Sequence, residues 1–170
     1  MKPFIPLLAA SALVLSGCAT TTPTEDDGTI RIVASTNVYG DIAQTIGGDL
    51  VSVTSIISNA AQDPHSYEAS AQDQLALSQA DLVIENGGGY DPFIDTMLSA
   101  SGSSAVVVTA VDASGLLGAN EHVWYSLHGM ENVAEELAHQ LGELDPSNAE
   151  TFEANYEAFA EQKEKHELLI

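Results

Sequence analysis

Thr29-Ile30-Arg31-Ile32-Val33-Ala34-Ser35-Thr36 opens the stretch on which the fold turns. It runs into Asn37-Val38-Tyr39-Gly40-Asp41-Ile42-Ala43-Gln44-Thr45-Ile46-Gly47-Gly48 and then into Val51-Ser52-Val53-Thr54-Ser55-Ile56-Ile57. The first eight residues form a short β-branched run, which predicts a strand. Val38, Ile42 and Ile46 recur at helical spacing, and Gly47-Gly48 stops that helix. The third run is again β-rich and partly alternating, so a second strand is expected.

Outward from this unit the alternation continues. Ser70 to Ala80 opens with Ser-x-x-Asp, close to a capping box, and carries Leu75 and Leu77. Asp81 to Glu85 reads as a third strand. Pro92 stands where a helix accepts a first-turn proline, and Phe93, Met97 and Leu98 follow. Ala105 to Val111 is nearly all apolar, as in a parallel strand covered on both faces. Alternation of this kind implies right-handed βαβ units, hence an α/β fold with a doubly wound, mostly parallel four-stranded sheet. Ligands of such sheets bind beyond the C-terminal ends of the strands. Two more helices follow. Asn132 to Leu141 carries Val133, Leu137 and Leu141 on one face. After Asp145-Pro146, Ser147-x-x-Glu150 reads as a capping box. It starts a long amphipathic helix with Phe152, Tyr156 and Phe159 inward and Glu153, Glu157, Glu161 and Lys165 outward.

The N-terminus has a different character. Met1-Lys2 gives a minimal positive start, and Phe4 to Leu15 is an apolar run too short to span a bilayer. Leu15-Ser16-Gly17-Cys18 follows and resembles the lipobox of bacterial lipoprotein precursors. That resemblance implies a signal peptide over residues 1–17, cleavage before Cys18 and lipid on its sulfur. Cys18 is the single cysteine, so no disulfide is expected. Residues 18–28 are polar and read as a tether. Residues 29–146 form one α/β lobe, and residues 147–170 begin a helix. Glu167-Leu168-Leu169-Ile170 is apolar inside helical pattern, which leads to the expectation that the sequence is a fragment cut within that helix.

The formal net charge is -21, from 25 acidic and 4 basic residues. A chain so charged is repelled by phosphate backbones, which argues against nucleic acid as a partner. It attracts cations to its surface, though charge alone makes no metal site. The apolar fraction of 45% is ordinary for a globular domain.

Two histidines occupy the positions where the sheet would present ligand groups. After strand two comes Asp63-Pro64-His65-Ser66-Tyr67-Glu68, and after strand four comes Asn120-Glu121-His122-Val123-Trp124-Tyr125. Neutral imidazole is a good ligand for first-row metals, and neighbouring acids can fix its tautomer. Asp63, Glu68, Glu121 and His128 are candidates for that supporting role. His139 and His166 read as solvated, Trp124 and Tyr125 as packing around the site. Gly87-Gly88-Gly89 lacks the Gly-x-Gly-x-x-Gly pattern and reads as a tight turn.

These two segments, with Val33 to Asp41 and Ala80 to Gly87, occur in an order that resembles the metal-binding receptors of zinc and manganese ABC importers, the cluster-nine or ZnuA/TroA-like family. The resemblance implies two α/β lobes joined by a long helix, with the metal held between them. His65 and His122 would be the first lobe's ligands. The second lobe, which would supply a His or Glu and an Asp, is absent here, so half a site is expected. Zinc members often carry a His-rich loop, which this sequence lacks. The implied cargo is Zn²⁺ or Mn²⁺ and the implied partner an ABC importer permease. The protein would be a non-enzymatic monomer, lipid-anchored at the outer face of the plasma membrane or in the periplasm. A metal-dependent surface adhesin or a zinc hydrolase are the alternatives. Against the latter, no Gly-x-Ser-x-Gly or His-Glu-x-x-His occurs.

Overall fold

The computed structural model describes residues 28–116, 118 and 120–167, with side chains through residue 162. The lipobox, the tether before Gly28, the side chains of Lys165 and His166, and the last three residues lie outside the described residues.

Four strands, β1 (Ile30–Thr36), β2 (Val51–Ile57), β3 (Leu82–Glu85) and β4 (Val106–Thr109), form one sheet in the order β2-β1-β3-β4. Every pairing is parallel. The chain winds from β1 outward to β2, then returns to build β3 and β4 on the other side. The switch point therefore lies between β1 and β3, where such sheets open a crevice.

Strand alternation distributes the core between both faces. Ile32 and Ala34 of β1 and Leu82 and Ile84 of β3 face a cluster with Tyr39, Ile42 and Ile46 of α1 (Asn37–Gly47). Val133, Leu137 and Leu141 of α5 (Leu127–Leu144) and Phe152 of α6 (Ala149–Glu167) complete it. Val33 and Val83 face the opposite way. They pack on Leu77 of α2 (Ala71–Ser78) and on Phe93, Ile94 and Met97 of α3 (Pro92–Ser101). This is the doubly wound α/β sheet expected from the alternation. Among the described residues no helix is long and apolar enough to cross a membrane.

Four expectations shift. Val38 is exposed and Tyr39 takes the inward position, because α1 begins at Asn37 and its buried face runs through Tyr39, Ile42, Ala43 and Ile46. β4 ends at Thr109, not Val111. The Val111 N–H donates to the Asn86 carbonyl (2.9 Å) and the chain turns into α4 (Ala110–Ala113). A run interrupted only by Thr109 carries little signal for that bend. α5 starts at Leu127, five residues before the apolar spacing indicates, because the Ser126 hydroxyl caps the Gly129 N–H at 3.0 Å. α6 starts at Ala149. The Ser147 hydroxyl donates to Asp145 (2.5 Å) in place of the expected capping box. The Ser70–Asp73 capping box does form.

Arg31 and Asp81 join β1 to the start of β3 by a two-pronged ion pair, with Nε and Nη2 at 3.0 and 2.9 Å from the carboxylate. The guanidinium holds the Asp81 carboxyl below its ordinary range. A carboxyl depressed in the folded state contributes stability above about pH 4, lost as pH falls through the folded value. Arg31→Ala is therefore expected to cost less than about 1 kcal/mol at neutral pH, since the pair is solvent-exposed. It should also flatten the acid limb of stability against pH, measured by urea unfolding from neutrality downward.

Candidate metal centre

Three loops meet beyond the C-terminal edge of the sheet, after β2, β3 and β4. The first carries His65 in a 3₁₀ turn, Pro64–Ser66. The third carries His122 at the start of another, Val123–Tyr125. Both loops use one device. Asp63 Oδ1 accepts from the His65 N–H and Asn120 Oδ1 accepts from the His122 N–H, each at 3.1 Å. An Asx side chain that bonds the backbone two residues on pins a turn without secondary structure. Each imidazole is thus presented by a fixed loop.

The rings converge on one carboxylate. Glu121 Oε1 lies 4.0 Å from His65 Nε2 and 3.5 Å from His122 Nδ1. His65 Nδ1 is 3.2 Å from the Gly89 carbonyl, and His122 Nδ1 is 2.9 Å from Asn120 Oδ1. Both oxygens can accept, so each Nδ1 is assigned the proton and each Nε2 is left with its lone pair. The imidazole side chains remain 46% and 39% exposed to solvent.

Aromatic rings wall the site. Tyr90 stands edge-on to His65 at 5.0 Å and lies 5.8 Å from His122. Trp124 packs on Tyr90 (4.6 Å) and on His122 (4.9 Å). Tyr125, 81% exposed, stacks on the outer face of His122 at 6.5 Å. An open cleft of about 240 Å³ adjoins them, lined by Thr36, Val38, Gln62, Tyr90 and Trp124. Burial, then the charges of Asp91 and Asp63, raise the Tyr90 phenol above its ordinary range, so it stays neutral.

The middle loop is built on glycine. Gly87, Gly88 and Gly89 all have positive φ, 75°, 64° and 88°. A Cβ on Gly87 would fall 2.4 Å from Thr109, and one on Gly88 3.2 Å from Glu121. The expected tight turn is therefore a left-handed run that places the Gly89 carbonyl under His65.

Of the other candidates, Asp63 supports the His65 backbone and has no imidazole contact of its own. Glu68 is exposed and lines a separate cavity with Tyr67, Gln74 and Thr96. His128, 70% exposed, pairs with Glu131 at 3.4 Å and does not join His122. His139 pairs with Glu143 on the solvated face of α5. Among the described residues, no group of three or more His, Cys, Asp or Glu side chains is disposed to hold a metal. Tyr90 and the Gly89 carbonyl carried no sequence signal, because their role depends on which loops meet. The Asx-x-His spacing was a signal and occurs in both loops.

One charge in this region is unfavourable. Glu85, buried at the end of β3, accepts from the Thr109 hydroxyl at 2.8 Å. Desolvation pushes its carboxyl up, against that hydrogen bond, and Asp95, Asp91 and Asp112 add to the rise. A carboxyl raised on folding costs stability above its folded value, and acid relieves the cost. Glu85→Gln keeps an acceptor for Thr109. It should raise the neutral-pH melting temperature by roughly 2–5 °C, and calorimetry should find the gain shrinking toward acid.

The chain matches the family model described as the periplasmic zinc-uptake complex component A over residues 32–167. It is 31% identical over 94% of its length to the metal ABC transporter substrate-binding lipoprotein ScbA of Streptococcus cristatus. It is 32% identical to the manganese-binding lipoprotein MntA of Halalkalibacterium halodurans, again over 94%. The chain spans about half the length of these relatives, 56% and 55%. Among solved structures, it superposes on FpvC of P. aeruginosa in complex with Ni²⁺ with a TM-score of 0.72 at 30% identity. That match covers 81% of this chain and 52% of the other. A manganese-bound mutant of the periplasmic metal-binding protein of Candidatus Liberibacter asiaticus gives 0.71 at 29%, covering 79% and 52%.

Proposed function

Because this chain belongs to the family of the periplasmic zinc-uptake complex component A, we propose that it is the first lobe of an extracytoplasmic receptor that captures a divalent transition metal, zinc or manganese, for an ABC importer. In this reading His65 and His122 ligate the ion through Nε2. Glu121 orients the rings and offers an oxygen to the incoming charge. Asp63 and Asn120 hold the loops. No bond is made or broken in the cargo. The observation that carries the reading is the convergence of two loop-borne imidazoles on Glu121, each with its Nδ1 satisfied by an oxygen. A metal receptor needs oriented imidazoles, and the supporting oxygens fix each ring's orientation and tautomer.

Two imidazoles leave a first-row ion short of a full shell, so the remaining ligands would come from a second lobe. Capture between lobes lets the ion be enclosed for delivery and released when they part. Attachment through Cys18, transfer to a membrane permease and action as a monomer belong to the same proposal. Relatives that are substrate-binding proteins support a role without turnover.

Thermal unfolding at increasing Zn²⁺ or Mn²⁺, with Mg²⁺ and Ca²⁺ as controls, tests the reading. Binding to the folded state alone adds about 2.7 kcal/mol at a hundredfold excess over the dissociation constant. At least one transition metal should raise the melting temperature progressively with the logarithm of its concentration, in a way that the alkaline-earth ions do not reproduce. No rise with either metal would end the proposal.

A further inference from the structure

The residues that hold the two histidine loops together lie behind them, at the switch point of the sheet. Asn86, fully buried just after β3, spends every polar group it has. Its backbone N–H donates to Asp91 Oδ2 at 2.6 Å, and its carbonyl accepts from Val111 at 2.9 Å. Its side-chain NH₂ donates to the Gly87 carbonyl at 2.8 Å and to the Glu121 carbonyl at 2.9 Å. Its Oδ1 accepts from the hydroxyl of Tyr39, itself fully buried in the first turn of α1.

The amide thus touches both halves of the site. The Glu121 carbonyl immediately precedes His122. Gly87 opens the turn whose Gly89 carbonyl meets His65 Nδ1. The orientation of the amide matters, because its two ends are chemically opposite. Turned over, it would set its oxygen against two carbonyl oxygens and its NH₂ against a hydroxyl. The Gly87 and Glu121 carbonyls, which can only accept, select the working orientation, and the Tyr39 hydroxyl donates to the Oδ1 that this leaves facing it. Burial raises the Tyr39 phenol well above its ordinary range, so it keeps its proton.

We propose that Asn86, held by Tyr39, is a positioning residue for metal capture: one buried amide sets the spacing of the His65 and His122 loops before any ion arrives. The inference rests on the metal-receptor reading for its function. Its structural half, that the amide orders both loops, stands apart from it.

The test uses the full chain with Asn86→Ala, Asn86→Asp and Tyr39→Phe. Leu77→Ala is the control, a fully buried residue in the opposite core cluster. It reports what destabilisation alone does. Zn²⁺ affinity is read by calorimetric titration well below each melting temperature. Asn86→Ala and Asn86→Asp should lose roughly 10- to 100-fold, the range for residues that support metal ligands, and Tyr39→Phe should lose less. Leu77→Ala should retain wild-type affinity while folded. Asn86→Asp is the sharp case, since it keeps an acceptor for Tyr39 but presents oxygen to two carbonyls. Amide hydrogen exchange in metal-free protein gives a readout independent of binding. Protection at Gly87, Tyr90 and Val123, whose N–H groups donate to Asp91, to the Gly87 carbonyl and to the Glu121 carbonyl, should fall at least about tenfold in the Asn86 variants relative to Leu77→Ala. Wild-type affinity in Asn86→Asp, or loop exchange no faster than in Leu77→Ala, overturns the proposal. If Asn86→Ala does not fold, Tyr39→Phe decides by the same two measurements. Failure of wild-type protein to bind Zn²⁺ or Mn²⁺ would instead sink the receptor reading, and exchange would still judge the amide.

Discussion

His65→Ala and His122→Ala are each expected to weaken Zn²⁺ binding about 100-fold or more, and the double variant little beyond either single one. The reasoning is geometric. The described residues offer two imidazoles that face the same carboxylate. Removing either leaves a single nitrogen, and one nitrogen holds an ion no better than many surface groups do. Loss of a supporting residue already costs 10- to 100-fold, so loss of a ligand should cost at least the upper end. Ligands that act as one unit are not additive, which predicts the near-equality of single and double variants. Metal-free stability should barely move, within about 0.5 kcal/mol, because both rings are substantially exposed. Titration calorimetry with Zn²⁺ and Mn²⁺ reads the first effect and urea unfolding the second. Unchanged binding in both single variants would remove the site.

Asp91→Ala is expected to give the largest loss of stability, about 3–5 kcal/mol. Its carboxylate is almost wholly buried and accepts from two backbone groups, Asn86 N–H at 2.6 Å and Gly87 N–H at 2.9 Å. Hydrogen bonds to a charged acceptor are worth about 1.5–3 kcal/mol each, and the orphaned N–H of buried Asn86 would have no water to turn to. A partial offset follows from charge. The Asp91 carboxylate contributes to raising both Glu85 and Tyr39, so its removal relieves some repulsion. The expected value therefore sits toward the lower end. Asp91→Asn should fall between, since one acceptor survives while an NH₂ group faces the other N–H. Against a total stability of 5–15 kcal/mol, the alanine variant should unfold at markedly lower denaturant. A midpoint close to wild type would show that the Gly87–Gly89 turn is held by something else.

These predictions differ in how far the sequence foretells them. The histidine pair could be picked out from residue type and from position after β-rich runs. The geometry that makes it a pair could not. Glu121 stands beside His122 in the chain, yet nothing local places its carboxylate within reach of His65. Asp91 reads in sequence as an ordinary turn residue before Pro92. Only the folded chain shows it bonding the two N–H groups of the β3 exit. Asp63 and Asn120 are intermediate. Both precede a histidine by two residues, a repeated turn pattern that states their role locally. Glu68, close to His65 in sequence, lines a separate cavity, and His128 belongs to a different surface. Sequence neighbourhood alone is a poor guide within loops.

The elements and their order follow from the chain itself. β-branched runs, helical spacing of apolar side chains and the Ser70–Asp73 cap are short-range signals, and burial on both sheet faces forces parallel winding. The boundaries at Val111, Leu127 and Ala149 needed the tertiary structure, because a hydrogen bond from a distant segment or a competing local bond decides where an element stops. The same holds for the site. Which nitrogen of each imidazole is free, what walls the cleft and which buried amide sets the loops depend on groups that meet only when β1, β3 and β4 lie side by side. Local pattern sets periodicity; long-range contact sets register and orientation, and the proposed metal site depends on the latter.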